Sequence, residues 1–286
     1  MDAIKNTLTS YASEDRVATE IMLGIVLCIL ILILYYLIKG TSNMILGKKM
    51  SNSIVYKGLK SADVPVTITQ DPSYKNSNVL QRSVNEDGGI EFTYSVWIWL
   101  DTKTWKVNDS DTQWKHVFHK GPMRNSEFTG SSPDTMSEIQ CPGLWIGKNS
   151  NELRLYINTF GINSEYIQIK NLPLKKWFCF IYTQTNFVAD VYINGRLKEQ
   201  KELRTLPKQN YSNLYINQNE GFEGYISNLS YYNYAANPSK IHDITKAGPN
   251  LKFYKQTFDE SSSVKIDNEI PYLSNRWWTN DLTLSN

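Results

Sequence analysis

Between residues 21 and 38 the chain reads IMLGIVLCILILILYYLI, without a single charge. A helix through this run is apolar on every face, unlike the one-sided stripe of a helix resting on a soluble core. At 1.5 Å per residue it spans about 27 Å, close to the hydrocarbon thickness of a bilayer. Tyr35 and Tyr36 stand near one end, where amphipathic rings favour the membrane interface. The expectation is one transmembrane helix in contact with the lipid bilayer. The preceding segment carries Glu14, Asp15 and Glu20, the run is longer than a usual signal-peptide core, and no small-x-small site precedes Lys39. An uncleaved anchor is therefore expected in place of a removed leader.

Further along, the period of the pattern changes to two. In residues 90–100, IEFTYSVWIWL, Phe92, Tyr94, Val96, Ile98 and Leu100 fall on one side, and Trp97 and Trp99 on the other. Apolar residues on both sides mark a strand in the middle of a sandwich. Residues 114–120 form another strand candidate, and 143–160 read as a hairpin around Lys148-Asn149-Ser150-Asn151. Short strands are expected at 166–170, 176–185, 188–194, 196–203, 214–217 and 224–234. Asn194-Gly195 is the strongest turn signal, since both residues tolerate positive φ. Residues 238–245 read as a short helix. Many short strands between turns predict an all-β, two-sheet antiparallel sandwich preceded by the membrane helix. The expected divisions are an N-terminal segment 1–20, the helix 21–38, a linker 39–65, a β domain 66–248 and a C-terminal extension 249–286.

Composition agrees with strands: 18 Tyr, 10 Phe and 8 Trp. The 30 basic and 28 acidic residues leave a net charge of +2, with no basic stripe, so nucleic acid is not an expected partner. Lys39, Lys48, Lys49, Lys57 and Lys60 follow the helix, against Lys5 and Arg16 before it. The positive-inside rule therefore places the C-terminal domain on the cytoplasmic side. Three glycosylation sequons, at Asn108, Asn210 and Asn228, argue the other way. Of three cysteines, Cys28 lies in the apolar run, which leaves Cys141 and Cys179 as the one possible pair. His116, His119 and His242 lack metal-binding spacing and obvious partners, so no zinc or other metal site is expected.

The segment 172–196, LPLKKWFCFIYTQTNFVADVYINGR, resembles the core of LamG-like domains through Trp177, Tyr192, Asn194 and Gly195. Residues 221–244 resemble the closing strands and helix of that family, and 92–100 its first core strand. The resemblance implies a concanavalin A-like jelly roll over roughly 66–248. Together with the N-terminal anchor, it is also similar to membrane-anchored LamG-like proteins of large DNA viruses, which implies a virion membrane location and other virion proteins as partners. Cys179 matches a core cysteine of the pentraxin relatives, but the partner position is Ser95, so the resemblance implies a buried free thiol.

The family implies carbohydrate or protein binding, often with calcium. Asp101, Asp190, Asn194, Asn217, Asn219 and Glu220 are the candidate calcium ligands, but the acidic calcium loop is reduced here to Gln218-Asn219-Glu220, so no cofactor is expected. Strand glycosidases need two carboxylates about 5 Å apart, and no strand here offers such a pair; neither is there a Gly-x-Ser-x-Gly. The expectation is a non-enzyme: a membrane-anchored lectin-like module that holds a glycan or protein. Its ligand residues are expected at Trp105 and Trp114, able to stack on a sugar, and at Asn217, Asn219 and Glu220. The alternatives are a structural protein of a viral membrane and, less favoured by the residues, a glycosidase. Trp97, Trp99, Trp145 and Trp177 read as core. Trp277 and Trp278 have no assigned role.

Overall fold

The computed structural model describes residues 20–37, 52–74, 77–83, 90–105, 114–124, 133–161 and 165–253. It divides into two units, 1–49 and 50–286. In the first, α1 (Glu20–Leu37) is long and apolar enough to cross a membrane, with mean hydropathy 2.6. A signal sequence near an N-terminus would meet the same criterion.

The second unit is a two-sheet antiparallel sandwich. Its strands are β1 (Asn52–Ser61), β2 (Val66–Ile68), β3 (Glu91–Leu100), β4 (Lys115–Lys120), β5 (Gly143–Ile146), β6 (Glu152–Ile157), β7 (Glu165–Lys170), β8 (Trp177–Thr185), β9 (Val188–Ile193), β10 (Arg196–Glu202), β11 (Leu214–Ile216) and β12 (Gly224–Tyr232). One sheet runs β1-β12-β3-β8-β9-β10 and the other β2-β11-β4-β5-β6-β7. The short helix α2 (Pro133–Met136) lies in the β4–β5 connection, and α3 (Pro238–Ala247) follows β12. Asn237 caps α3, its side chain accepting the Lys240 N–H.

The central pair β3 and β8 keeps unbroken register from Glu91 opposite Thr185 to Trp99 opposite Trp177. Tyr94, Val96 and Ile98 therefore face the core beside Tyr182, Phe180 and Phe178, and all are buried. On the reverse of this sheet, Trp97, Cys179 and Ile181 are covered by Ile241 and Ile244 of α3. That answers why β3 and β8 are apolar on both sides: one side meets the second sheet and the other a helix. Trp97 and Trp145 are buried as expected. Trp99 and Trp177 are only half-buried, Trp99 lying 5.6 Å from the Tyr225 ring.

Two expected boundaries need correction. The linker 39–65 contains β1, which pairs with β12 along its length. Its period is hidden by two irregularities: a register shift between Ile54 and Tyr56, which leaves Val55 and Tyr56 buried in succession, and a second before Leu59, where the Gly58 N–H (φ 86) donates to Asn228 Oδ1. The extension beginning at 249 also returns to the body: Ser227 Oγ donates to Asn250 O, and Leu59 N–H donates to Lys252 O. Cys141 and Cys179 are both buried and free, Cys141 between the sheets and Cys179 beneath α3. Two sequon asparagines serve the fold through their amides: Asn210 Nδ2 donates to Lys120 O, and Asn228 Oδ1 accepts from Gly58. Asn108, Trp277 and Trp278 lie outside the described residues.

Candidate functional site

The outer face of the second sheet carries an unusual row of rings. Strand alternation sends Leu153, Leu155, Ile167 and Ile169 to the core and leaves Arg154, Tyr156, Tyr166 and Gln168 on the outside. On β4 the alternation is interrupted: a register shift between His116 and Phe118 turns both histidines to that same outer side. The expectation that these histidines lack partners is therefore corrected. A spacing of three puts two strand residues on opposite faces unless a bulge intervenes, and here one does.

His116 Nε2 lies 2.8 Å from His119 Nδ1, and both residues are fully buried. The Gln218 N–H donates to His116 Nδ1. His116 therefore carries its proton on Nε2 and donates it to His119, which must hold its own on Nε2. That Nε2 has no partner among the described residues. Burial pushes His119 down to about 3, and burial followed by the neighbouring ring holds His116 well below the usual range. His119 stacks on Tyr215, with centroids 5.1 Å apart, and His116 meets Trp145 edge-on at 4.6 Å. Trp145 Nε1 donates to Gln140 Oε1 at 2.7 Å, and Gln140 Nε2 donates to Pro133 O. The segment from Pro133 to Gln140 is thus held against the outer face of the sheet, with Met136, Trp145 and Tyr156 in one cluster and Trp114 packed against it.

Beyond that cover the face opens. The Arg154 guanidinium lies over the Trp114 ring at 4.5 Å and over the Tyr166 ring at 4.9 Å. Its terminal nitrogen pairs with Glu152 at 2.9 Å, and Gln168 Nε2 donates to the other Glu152 oxygen. Arg154 Nε has no partner among the described residues. Tyr166 is 42% exposed, and Trp114 and Arg154 are half-buried. A ring plane, a guanidinium and an amide therefore share one accessible patch, with the buried Glu152 carboxylate behind them.

Of the ligand residues expected from sequence, Trp114 belongs to this patch. Trp105 ends a 3-10 turn, Thr102–Trp105, and its side chain lies outside the described residues. Asn217 is fully buried: its N–H donates to Val117 O and its side-chain amide to Ser61 O, so it presents nothing to solvent. Asn219 is half-buried and Glu220 exposed, both with positive φ (52° and 61°). The structure gathers these segments at one end of the sandwich, because Gln218 bonds to His116 and Thr104 Oγ1 to Glu223 O. Asp101 and Asp190 are occupied locally, by the Lys103 N–H and by Gln200. No group of three or more metal-ligating side chains gathers among the described residues. Arg154, Tyr166, Glu152 and Gln168 were not singled out from sequence, although the alternation in ELRLYI and EYIQIK marks each as outward-facing.

The family model of the concanavalin A-like lectin/glucanases superfamily matches residues 73–242, more than half of the chain. No curated protein matches. Among solved structures, the ligand-binding domain of botulinum neurotoxin serotype D in complex with N-acetylneuraminic acid shares 10% identity at a TM-score of 0.47, covering 70% of this chain and 45% of that one. The binding domain of serotype G shares 13% identity at a TM-score of 0.44, covering 70% and 47%. This chain thus spans less than half of either.

Proposed function

Since the chain belongs to the concanavalin A-like lectin/glucanases superfamily, we propose that its body is a non-catalytic, lectin-like module, tethered through α1, that holds a glycan on the outer face of the second sheet. The observation that carries this reading is the Trp114–Arg154–Tyr166 stack beside Glu152 and Gln168. A sugar ring offers an apolar C–H face and a rim of hydroxyls. An aromatic plane meets the first, and fixed donors and acceptors meet the second. Arg154 lies against both rings and is itself paired with Glu152, so little order is left to impose on binding. Among the described residues the patch holds one carboxylate, Glu152, which pairs with Arg154 and accepts from Gln168. That supports binding over hydrolysis, which needs a second carboxylate nearby.

The full chain in lipid nanodiscs, applied to a glycan array with and without calcium, tests this. Tyr166→Ala is expected to weaken the best glycan by up to about tenfold, the scale of a lost stacking contact. Its melting temperature should stay near that of the natural chain, because Tyr166 is a surface side chain. Retention of no glycan under either condition, or full binding by Tyr166→Ala, would defeat the reading.

A further inference from the structure

At the opposite end of the sandwich, where β3 begins and β4 and β12 end, lies a pocket of about 420 Å³ including its open mouth. Phe92, Tyr94 and Tyr211 contribute aromatic walls, and Lys120 and Arg82 contribute two cations. Among the described residues no lining side chain is acidic.

Lys120 is only 4% exposed. Its Nζ donates to Asn210 O at 3.0 Å and to Ser212 O. An ammonium has three protons, and the third has no acceptor among the described residues. Nor does any carboxylate pair with Lys120 or Arg82 among those residues. Arg82 instead lies over the Tyr211 ring at 5.6 Å. Burial draws Lys120 down to about 8, which still leaves it mostly charged at neutral pH. A buried cation calls for a counter-charge.

We propose that this pocket binds a small organic carboxylate, its anionic head between Lys120 and Arg82 and its apolar body against Phe92, Tyr94 and Tyr211. Tyr211, 72% exposed beside Arg82, offers the free ring surface for an organic body, which an inorganic anion would leave bare. The site stands apart from the sheet face, so it does not depend on glycan binding there.

Calorimetric titration of the full chain in nanodiscs with hexanoate and benzoate, beside hexanamide, benzamide and inorganic phosphate, is the test. The carboxylates should bind at least about tenfold more tightly than the amides of the same shape. Arg82→Gln should remove most of that preference; its exposed side chain makes it safe for folding. Lys120→Met should do the same, but it also frees the carbonyls that Lys120 holds. Acetylation of Lys120 in the natural chain, read by peptide mass, supplies a second measure: hexanoate should slow it and hexanamide should not. Equal binding of acid and amide, or no carboxylate binding at all, overturns the proposal. So does carboxylate binding that appears only in Glu86→Gln/Asp87→Asn, since the chain's own acid would then be the natural occupant.

Discussion

Lowering the pH from 7 to 5 should cost the sandwich about 2 kcal/mol through His119 alone. In the unfolded chain this imidazole titrates near 6.5, whereas in the fold burial holds it at about 3. Above 6.5 it is neutral in both states and stability is independent of it. Below 6.5 the unfolded chain takes up a proton that the folded chain refuses, so stability falls until the folded pKa is reached. His116, displaced in the same direction, adds to the loss. The consequence is local as well as global. Protonating His116 Nδ1 removes the acceptor for the Gln218 N–H and so loosens the loop after β11. Urea unfolding at pH 7, 6 and 5 should show the decline, and thermal unfolding a drop of about 4–8 °C for a body of this size. The double variant His116→Phe/His119→Leu should flatten the profile over this range. An unchanged slope in that variant would place the sensitivity elsewhere.

Trp145→Ala is the second large effect, with an expected loss of about 3–5 kcal/mol. Trp145 is 1% exposed, and its ring fills the space between His116 and the Met136–Tyr156 cluster. The substitution opens a cavity and also strands Gln140 Oε1, which accepts from the indole. Trp145→Phe retains much of the volume but not the N–H. It should therefore cost only about 1–3 kcal/mol, the price of the orphaned acceptor. Chemical denaturation of the three chains separates the two contributions. Equal losses in both variants would mean that the hydrogen bond, not the packing, holds the segment 133–140 down.

The strands were legible where side chains alternate without interruption. Residues 91–100 and 177–185 appear as β3 and β8, and β3 carries the inward and outward sets read for it. The Asn194-Gly195 turn joins β9 to β10 with both residues at positive φ. What stayed hidden depended on bulges. Two register shifts broke the period of β1, so a paired strand read as linker. The shift in β4 placed His116 and His119 together, although their spacing implied opposite faces. The patch itself was half visible. Trp114 stood out as an aromatic beside a polar stretch, but its partners Arg154 and Tyr166 come from β6 and β7. Only the register of those strands, with Arg154 opposite Gln168 and Tyr156 opposite Tyr166, brings them to it. Asn217 illustrates the reverse error. A polar residue in a turn read as solvent-facing, while its amide is spent inside the fold on Ser61.

Hydrogen–deuterium exchange on the full chain, with and without the best glycan from the array, tests the central claim most directly. Bound glycan should slow exchange in 114–116, 152–156 and 165–170, the segments that carry Trp114, Arg154 and Tyr166. Protection confined to 217–223, with the sheet face unchanged, would contradict it and return the site to the loops at the end of the sandwich.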